Sequence, residues 1–284
     1  MTDYLVYDVF TDTPFGGNQL AVIPDAAALP EEDLQKIAAE FNLSEVTFVY
    51  PPADPAHTAR VRIFMPTMEI PFAGHPTIGT AVALADLGQR PDMVLELGIG
   101  PIRAHAADGK ARFTTEAALE IMARPDPALI ARALGLDLAQ IRTQTHPPTM
   151  ATLGLPITCT ELADHAALSA IQTDIAAMRE GAAHHPGGLD FAQLAYVRDG
   201  ATIDARVFAP LGGIPEDPAT GSAAATLAAL LAQTLGRDLT LDYRQGDAMG
   251  RPSRIGLQTD GPRVTVSGAA VRVMQGQLVH ATKA

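Results

Sequence analysis

Residues 216–231 have the sequence Glu216-Asp217-Pro218-Ala219-Thr220-Gly221-Ser222-Ala223-Ala224-Ala225-Thr226-Leu227-Ala228-Ala229-Leu230-Leu231. Ala, Leu and Thr occupy every side of its helical part, which carries no charge, and this predicts a helix buried on all faces. The preceding polar residues then lie at a buried helix N-terminus, whose free N–H groups and partial positive charge favour an anion. We therefore expect Gly221 and Ser222 to bind substrate, and the acid beside them, Asp217, to be catalytic.

The same pattern occurs earlier in the chain, over Glu69-Ile70-Pro71-Phe72-Ala73-Gly74-His75-Pro76-Thr77-Ile78-Gly79-Thr80-Ala81-Val82-Ala83-Leu84. When the two copies are aligned, Gly74 falls on Gly221 and His75 on Ser222. A similar strand precedes each copy, Arg62-Ile63-Phe64-Met65-Pro66 and Arg206-Val207-Phe208-Ala209-Pro210. We predict two similar domains with one site between two facing helix N-termini. Chance similarity of two Ala-rich helices is the alternative.

Length and composition are those of a globular protein. The 284 residues are enough for two domains, and 47% are apolar and 18% charged. No segment has the apolar length needed to span a bilayer, and the chain begins directly with a strand-like segment. We therefore expect a cytoplasmic protein without membrane contacts. The pattern breaks around Ala123-Arg124-Pro125-Asp126-Pro127, which predicts an N-terminal domain over 1–122 and a second domain that begins at 123.

Charge and cysteine content exclude several classes of function. Twenty basic and thirty-two acidic residues give a net charge of −12, which repels nucleic acid and anionic membranes. An anionic substrate must then be held by local dipoles. The single cysteine, Cys159, excludes an internal disulfide and is predicted to be a buried small residue. The adjacent His184 and His185 have no carboxylate or thiolate at ligand spacing, so no metal site is predicted.

Three residues of the first domain are candidates for a site. Asn18 follows two glycines that permit close backbone approach, which places it either facing a ligand or in an ordinary hairpin turn. Glu45 is an acid at the beginning of an apolar run, and is either a general base or acid or a solvated glutamate at a strand end. His75 is near the start of the first buried helix, where it either exchanges a proton with the bound group or only caps the helix.

Several segments together resemble one known family. They are Asn42-Leu43-Ser44-Glu45, Arg62-Ile63-Phe64, Pro71-Phe72-Ala73-Gly74-His75-Pro76, Asp217-Pro218-Ala219-Thr220-Gly221-Ser222-Ala223-Ala224, Gln245-Gly246 and Met249-Gly250-Arg251-Pro252-Ser253. In this order along the chain they are similar to the phenazine biosynthesis PhzF-like isomerase family. One departure is that the usual Gly-Asn-Pro is Gly17-Asn18-Gln19 in this chain, which affects that turn but not Glu45.

The resemblance implies the diaminopimelate epimerase-like fold, an α+β fold of two pseudo-symmetric domains, each a mixed β-sheet rolled around a central helix. It also implies that residues 272–284 can return to the first domain, which gives a C-terminal domain over 123–271. The family needs neither a metal nor an organic cofactor. The family's named member moves a proton during isomerisation of a dihydro-hydroxyanthranilate, and the glutamate matching Glu45 carries it. His75 and Asp217 match the other polar site residues, while Gly74, Gly221 and Ser222 match the helix starts.

These observations predict a cofactor-independent isomerase acting on a small carboxylated metabolite. An epimerase or racemase of the same fold with two opposed thiols is one alternative, but neither helix start carries a cysteine. A binding protein without turnover is the other, and retention of Glu45, His75 and Asp217 argues against it. The sequence leaves the substrate open, and it leaves a homodimer open as the oligomeric state.

Overall fold

The computed structural model describes residues 1–187 and 191–279. The chain divides into two compact units, of which the first comprises Met1–Thr115 and the chain from Val266 onward, and the second comprises Glu116–Thr265. The predicted divisions, after residues 122 and 271, lie a few residues further along the chain. Residues 280–284, which the resemblance assigned to the first domain, lie outside the described residues.

The strands are, in chain order, β1 (Thr2–Val9), β2 (Asn18–Ile23), β3 (Glu45–Tyr50), β4 (Ala59–Phe64), β5 (Glu69–Ile70), β6 (Asp92–Leu97), β7 (Gly100–Ala107), β8 (Lys110–Thr115), β9 (Glu120–Ala123), β10 (Ile141–Arg142), β11 (Thr149–Thr152), β12 (Ile157–Leu162), β13 (Gln193–Asp199), β14 (Thr202–Ala209), β15 (Ile214–Asp217), β16 (Thr240–Gln245), β17 (Ser253–Asp260) and β18 (Arg263–Leu278). The helices are α1 (Glu31–Phe41), α2 (Gly74–Asp86), α3 (Pro127–Leu134), α4 (His165–Ala170), α5 (Ile175–His184) and α6 (Gly221–Leu235). No helix within these described residues is long and apolar enough to cross a membrane.

The strands of the first unit pair into a closed ring. β1 pairs with β2, β2 in parallel with β3, β3 with β4, and β4 in parallel with β6. The ring continues through β7 and β8 to β18, which pairs back with β1. Each strand of the ring therefore has a hydrogen-bonded neighbour on both sides, which removes exposed sheet edges.

Helix α2 lies in the core of the first unit. Its residues from Gly74 to Leu84 are all buried, and it packs against β1, β2, β3, β7 and β8. A Cβ at Gly79 would collide with the side chains of Leu20 and Val9, so the helix approaches the strands closely because this residue is glycine. Thr80 donates a hydrogen bond to Thr47 at 3.0 Å, which satisfies a buried hydroxyl. The predicted buried helix is confirmed.

The second unit repeats this order of strand pairing. β11–β12, β12–β13, β13–β14, β14–β15, β14–β16 and β16–β17 have the same parallel or antiparallel sense as β1–β2, β2–β3, β3–β4, β4–β5, β4–β6 and β6–β7. The register also agrees, since Val46 pairs with Phe64 and Gln193 with Phe208. Two pseudo-symmetric α+β domains are therefore confirmed.

Helix α6 corresponds to α2 and is buried along most of its length, packed against β11, β12 and β17. Helices α3, α4 and α5 cover another face of this unit's sheet. There Ile130, Leu134, Met178 and Phe191 belong to one apolar cluster of buried residues. The second unit thus has its own core in addition to the packing around α6.

An arginine fixes the short strand that precedes each buried helix. Arg62 donates two hydrogen bonds to Glu69, at 2.8 and 2.6 Å, and Arg206 donates two to Glu216, at 2.9 and 2.8 Å. The guanidinium groups also lie 5.1 Å and 4.9 Å from the ring centroids of Phe64 and Phe208. Such two-point pairs hold geometry well, so they orient the two segments that enter α2 and α6.

Candidate active site

Glu45 and His75 lie in contact in the first unit. Glu45 is the first residue of β3 and His75 the second residue of α2. Glu45 Oε2 is 2.9 Å from His75 Nδ1, and the two side chains are 15% and 3% exposed. The fold therefore brings together two of the predicted catalytic residues.

The other nitrogen of His75 decides what this contact can do. Nε2 is 3.2 Å from the backbone carbonyl oxygen of Gln19, which can only accept, so Nε2 must carry a hydrogen. In a neutral imidazole Nδ1 is then an acceptor. Glu45 Oε2, 2.9 Å from Nδ1, makes no hydrogen bond in this geometry and is a buried acceptor without a partner among the described residues, so it is available to a substrate.

Asn18 lies beside the same pair. It is buried at the start of β2, where Ser44, the residue before Glu45, donates to its Oδ1 at 3.2 Å. Gly17, at φ +61°, shapes the turn, because a Cβ there would collide with the carbonyl of Val9. The glycine turn thus supports the loop that carries Glu45. A direct contact between Asn18 and substrate stays a prediction.

Gln19, at the position where the family pattern has proline, affects the site through its main chain. The contact with His75 uses its carbonyl oxygen, which every residue type supplies. The contact with His75 therefore does not depend on whether residue 19 is glutamine, as in this chain, or proline, as in the family pattern.

Both buried helices start without a side-chain cap. The N-cap residues are Ala73 for α2 and Thr220 for α6, and neither side chain bonds to the helix. The first N–H groups of the two helices, around Gly74 and around Gly221 and Ser222, are thus left uncapped by a side chain. Uncapped helix starts attract a carboxylate or a developing negative charge.

Asp217 is held in a hydrogen-bond network within the second unit. Thr220, instead of capping α6, donates from its hydroxyl to Asp217 Oδ2. Gln245 Nε2 donates to Thr220 Oγ1 at 3.1 Å and to the carbonyl of Asp217 at 2.6 Å. Gln245 Oε1 accepts from Thr220 N at 3.2 Å. The Gln245 side chain therefore orients Thr220, which orients the Asp217 carboxylate.

Three further residues complete this support. The pKa of Tyr243 is raised well above its usual value, mainly by burial and further by its electrostatic interaction with Cys159 and Asp217. The Tyr243 hydroxyl therefore keeps its hydrogen, which it donates to Gln245 Oε1 at 3.1 Å. Ser253 donates to the carbonyl of Pro218 at 2.9 Å. A Cβ at Gly246, which has φ +82°, would collide with the carbonyl oxygens of Arg251 and Pro218.

Sequence reasoning assigned no role to these supporting residues. Gln245, Gly246 and Ser253 belong to the segments that resemble the family, but the contacts they make are distant in sequence. The available signal is that Gln245 falls in the buried phase of an alternating strand, after Leu241 and Tyr243, where an amide needs specific partners.

The repeat shows that the two helix starts differ chemically. By strand register, Ala192 occupies in the second unit the position that Glu45 has in the first, since Gln193 corresponds to Val46. Ser222 corresponds to His75, and Asp217 to the apolar Ile70. The first unit thus carries Glu45, His75, Gly74 and Asn18, and the second carries Asp217, Gly221 and Ser222.

Within the described ranges, no three His, Cys, Asp or Glu side chains are grouped to hold a metal ion.

This fold and these helix starts define an enzyme of the isomerase or epimerase type. The family model described as "Phenazine biosynthesis-like protein" matches residues 7–276, and the chain belongs to this family.

Related proteins match this chain over nearly its whole length and theirs. An uncharacterized isomerase of Mesorhizobium japonicum is 38% identical over 97% of this chain and 98% of its own. The trans-2,3-dihydro-3-hydroxyanthranilate isomerase of Pseudomonas aeruginosa is 35% identical over 95% of each chain. The crystal structure of a Bacillus anthracis PhzF-family protein has a TM-score of 0.85 at 21% identity, covering 98% of this chain and 99% of that one. The last comparison concerns the fold alone.

Proposed function

We propose that the protein is a cofactor-independent isomerase that takes a proton from one carbon of a small carboxylated substrate and returns it to another carbon. Glu45 is the proton carrier. The observation that carries this proposal is the 2.9 Å contact between Glu45 Oε2 and His75 Nδ1, with Nε2 engaged by a carbonyl. A buried carboxylate oxygen without a hydrogen-bond partner can take a proton from a substrate and give it back, as an acid–base step requires.

Removal of a carbon-bound proton leaves negative charge on the substrate. The uncapped N–H groups near Gly74 and near Gly221 and Ser222 are suited to hold the carboxylate and this charge, because they are oriented before the reaction begins. Asp217, oriented by Thr220, positions substrate or assists proton transfer. The Pseudomonas aeruginosa relative acts, by its name, on a dihydro-hydroxyanthranilate, which is a carboxylate, and this supports the substrate class.

The chemical difference between the repeats favours one proton carrier over two. A racemase that exchanges protons on opposite faces of its substrate needs an acid–base group from each side. The position equivalent to Glu45 is Ala192, and the position equivalent to His75 is Ser222. Cys159, the only cysteine, is buried in β12 and is at neither helix start. A single carrier returns the proton to the face from which it came.

The test is the Glu45→Gln protein, because glutamine keeps the shape but cannot accept the proton. A panel of small carboxylates is first screened for deuterium uptake from solvent to find a substrate. With that substrate, turnover should fall by about 10² to 10⁴ and deuterium uptake with it, while ligand affinity changes little.

The matched control is Glu40→Gln, at an exposed position on α1 of the same unit, which should leave both rates unchanged. Folding of each variant is checked by thermal unfolding. Near wild-type turnover by folded Glu45→Gln protein would refute the role of Glu45. A ligand that binds without any hydrogen exchange in the wild type would instead indicate a binding protein.

A further inference from the structure

A small cavity lies beside the start of α6 in the second unit. Leu155, Pro156, Ala192 and Val207 contribute to its mainly apolar wall, and Asp217 and Ser222 also line it. Its volume of about 30 Å³ gives room for roughly two or three water-sized atoms. It can therefore take a methyl group or the edge of a ring, but not a whole metabolite.

The repeat shows that this cavity corresponds to the Glu45 site. By strand register, Leu155 corresponds to Asn18, Pro156 to Gln19 and Ala192 to Glu45. The side chains that accept a hydrogen bond or are proposed to move a proton in the first unit, Asn18 and Glu45, are thus replaced by Leu155 and Ala192, which do neither. The threonine hydroxyl at its edge, that of Thr220, is already bonded to Asp217 and Gln245.

We propose that this cavity is a substrate subsite that takes an uncharged, apolar group of the carboxylated substrate, the size of a methyl group or a ring edge. It discriminates against a hydroxyl or amino group that faces the apolar wall of Leu155, Pro156, Ala192 and Val207, because such a group loses its water and gains no side-chain partner there. The proposal rests on the proposed function in one respect, that the substrate carboxylate is held at the helix starts.

The experiment measures dissociation constants, by calorimetric or NMR titration, for benzoate and for its 2-, 3- and 4-methyl and 2-, 3- and 4-hydroxy derivatives. Methyl and hydroxyl are nearly equal in size, so each pair compares polarity at one ring position. At one position the methyl compound should bind about tenfold or more tightly than the hydroxyl compound. Equal binding of the pair at all three positions, or failure of the whole series to bind, would overturn the proposal.

Two variants connect such a preference with the cavity. Ala192→Val adds two carbons to a space for two or three atoms, so the methyl preference should fall below about twofold. Val207→Ala enlarges the space, so an ethyl group at the same ring position should gain affinity. Ala195→Val is the control for added volume, since Ala195 is buried in β13 within the apolar cluster of α3, α4 and α5. An unchanged preference in both cavity variants would contradict the assignment.

The same titrations in the Glu45→Gln protein separate the two proposals. Ligand binding needs no proton transfer, so the methyl preference should persist there whether or not Glu45 carries the proton. If Glu45→Gln keeps its turnover and the methyl preference remains, the proton-carrier proposal fails and the subsite stands. If turnover is lost and no preference exists in either protein, the reverse holds.

Discussion

At the scale of single residues, Cys159 provides a direct test of the chemistry. Burial raises the pKa of its thiol to about 12, and its side chain is fully buried in β12. Since the thiolate is the reactive form, iodoacetamide at pH 8 should leave the native protein unmodified and active, and should modify it once in guanidinium chloride. Mass spectrometry gives the extent of modification, and Cys159→Ala should keep near wild-type turnover. Loss of turnover in folded Cys159→Ala protein would contradict a mechanism based on Glu45.

The residue types of the site could be predicted from the sequence, but their hydrogen bonding could not. An acid at the start of an apolar strand and a histidine at the start of a buried helix are visible as Glu45 and His75. The orientation of the His75 ring follows from its contact with the carbonyl of Gln19, and a backbone carbonyl has no side-chain signature. Resemblance to the family placed Glu45 and His75 in one site, and the structure shows them 2.9 Å apart.

At the scale of elements, the glycines after β16 test how the Asp217 turn is held. Gly246 and Gly250 both have positive φ, +82° and +68°, so alanine costs backbone strain at either position. Only at Gly246 would the new Cβ also collide with neighbours, the carbonyls of Arg251 and Pro218, whereas nothing lies within 4 Å at Gly250. Gly250→Ala should cost about 1–2 kcal/mol and Gly246→Ala clearly more, with a fall in turnover as the turn shifts.

Urea unfolding gives the two free energies, and their comparison removes the shared cost of left-handed backbone. Equal losses at both positions would show that the turn yields to the collision and does not depend on Gly246.

The two buried helices could be predicted from the sequence, because a helix with apolar residues on all its sides is stable in water only when it is covered on all of them. The support from Gln245 was not, since its contacts reach Asp217 and Thr220 from a distant strand.

At the scale of the whole molecule, the sequence located both divisions between the units a few residues too far along the chain. The prolines at 125 and 127 break the pattern, but β9, which precedes them, already pairs with β11 of the second unit. At the other division β18 crosses from one unit to the other without interruption. A continuous strand gives no turn signal, so local sequence could not show that boundary.

The arrangement of β18 leads to a prediction about which parts of the chain fold alone. The second unit, Glu116–Thr265, is continuous and has its own core, so it should unfold cooperatively as a fragment. Residues 1–115 alone lack β18, which leaves β1 and β8 as open edges, so this fragment should aggregate.

A permuted chain tests whether closing the ring restores this unit. Thr2 pairs with Leu278, so a short Gly-rich loop from residue 279 to residue 1 should form a hairpin. The permuted chain, 266–279 then 1–115, should therefore be monodisperse and fold reversibly. Circular dichroism and urea unfolding compare the three chains, and an equally stable 1–115 fragment without β18 would show that ring closure is not needed.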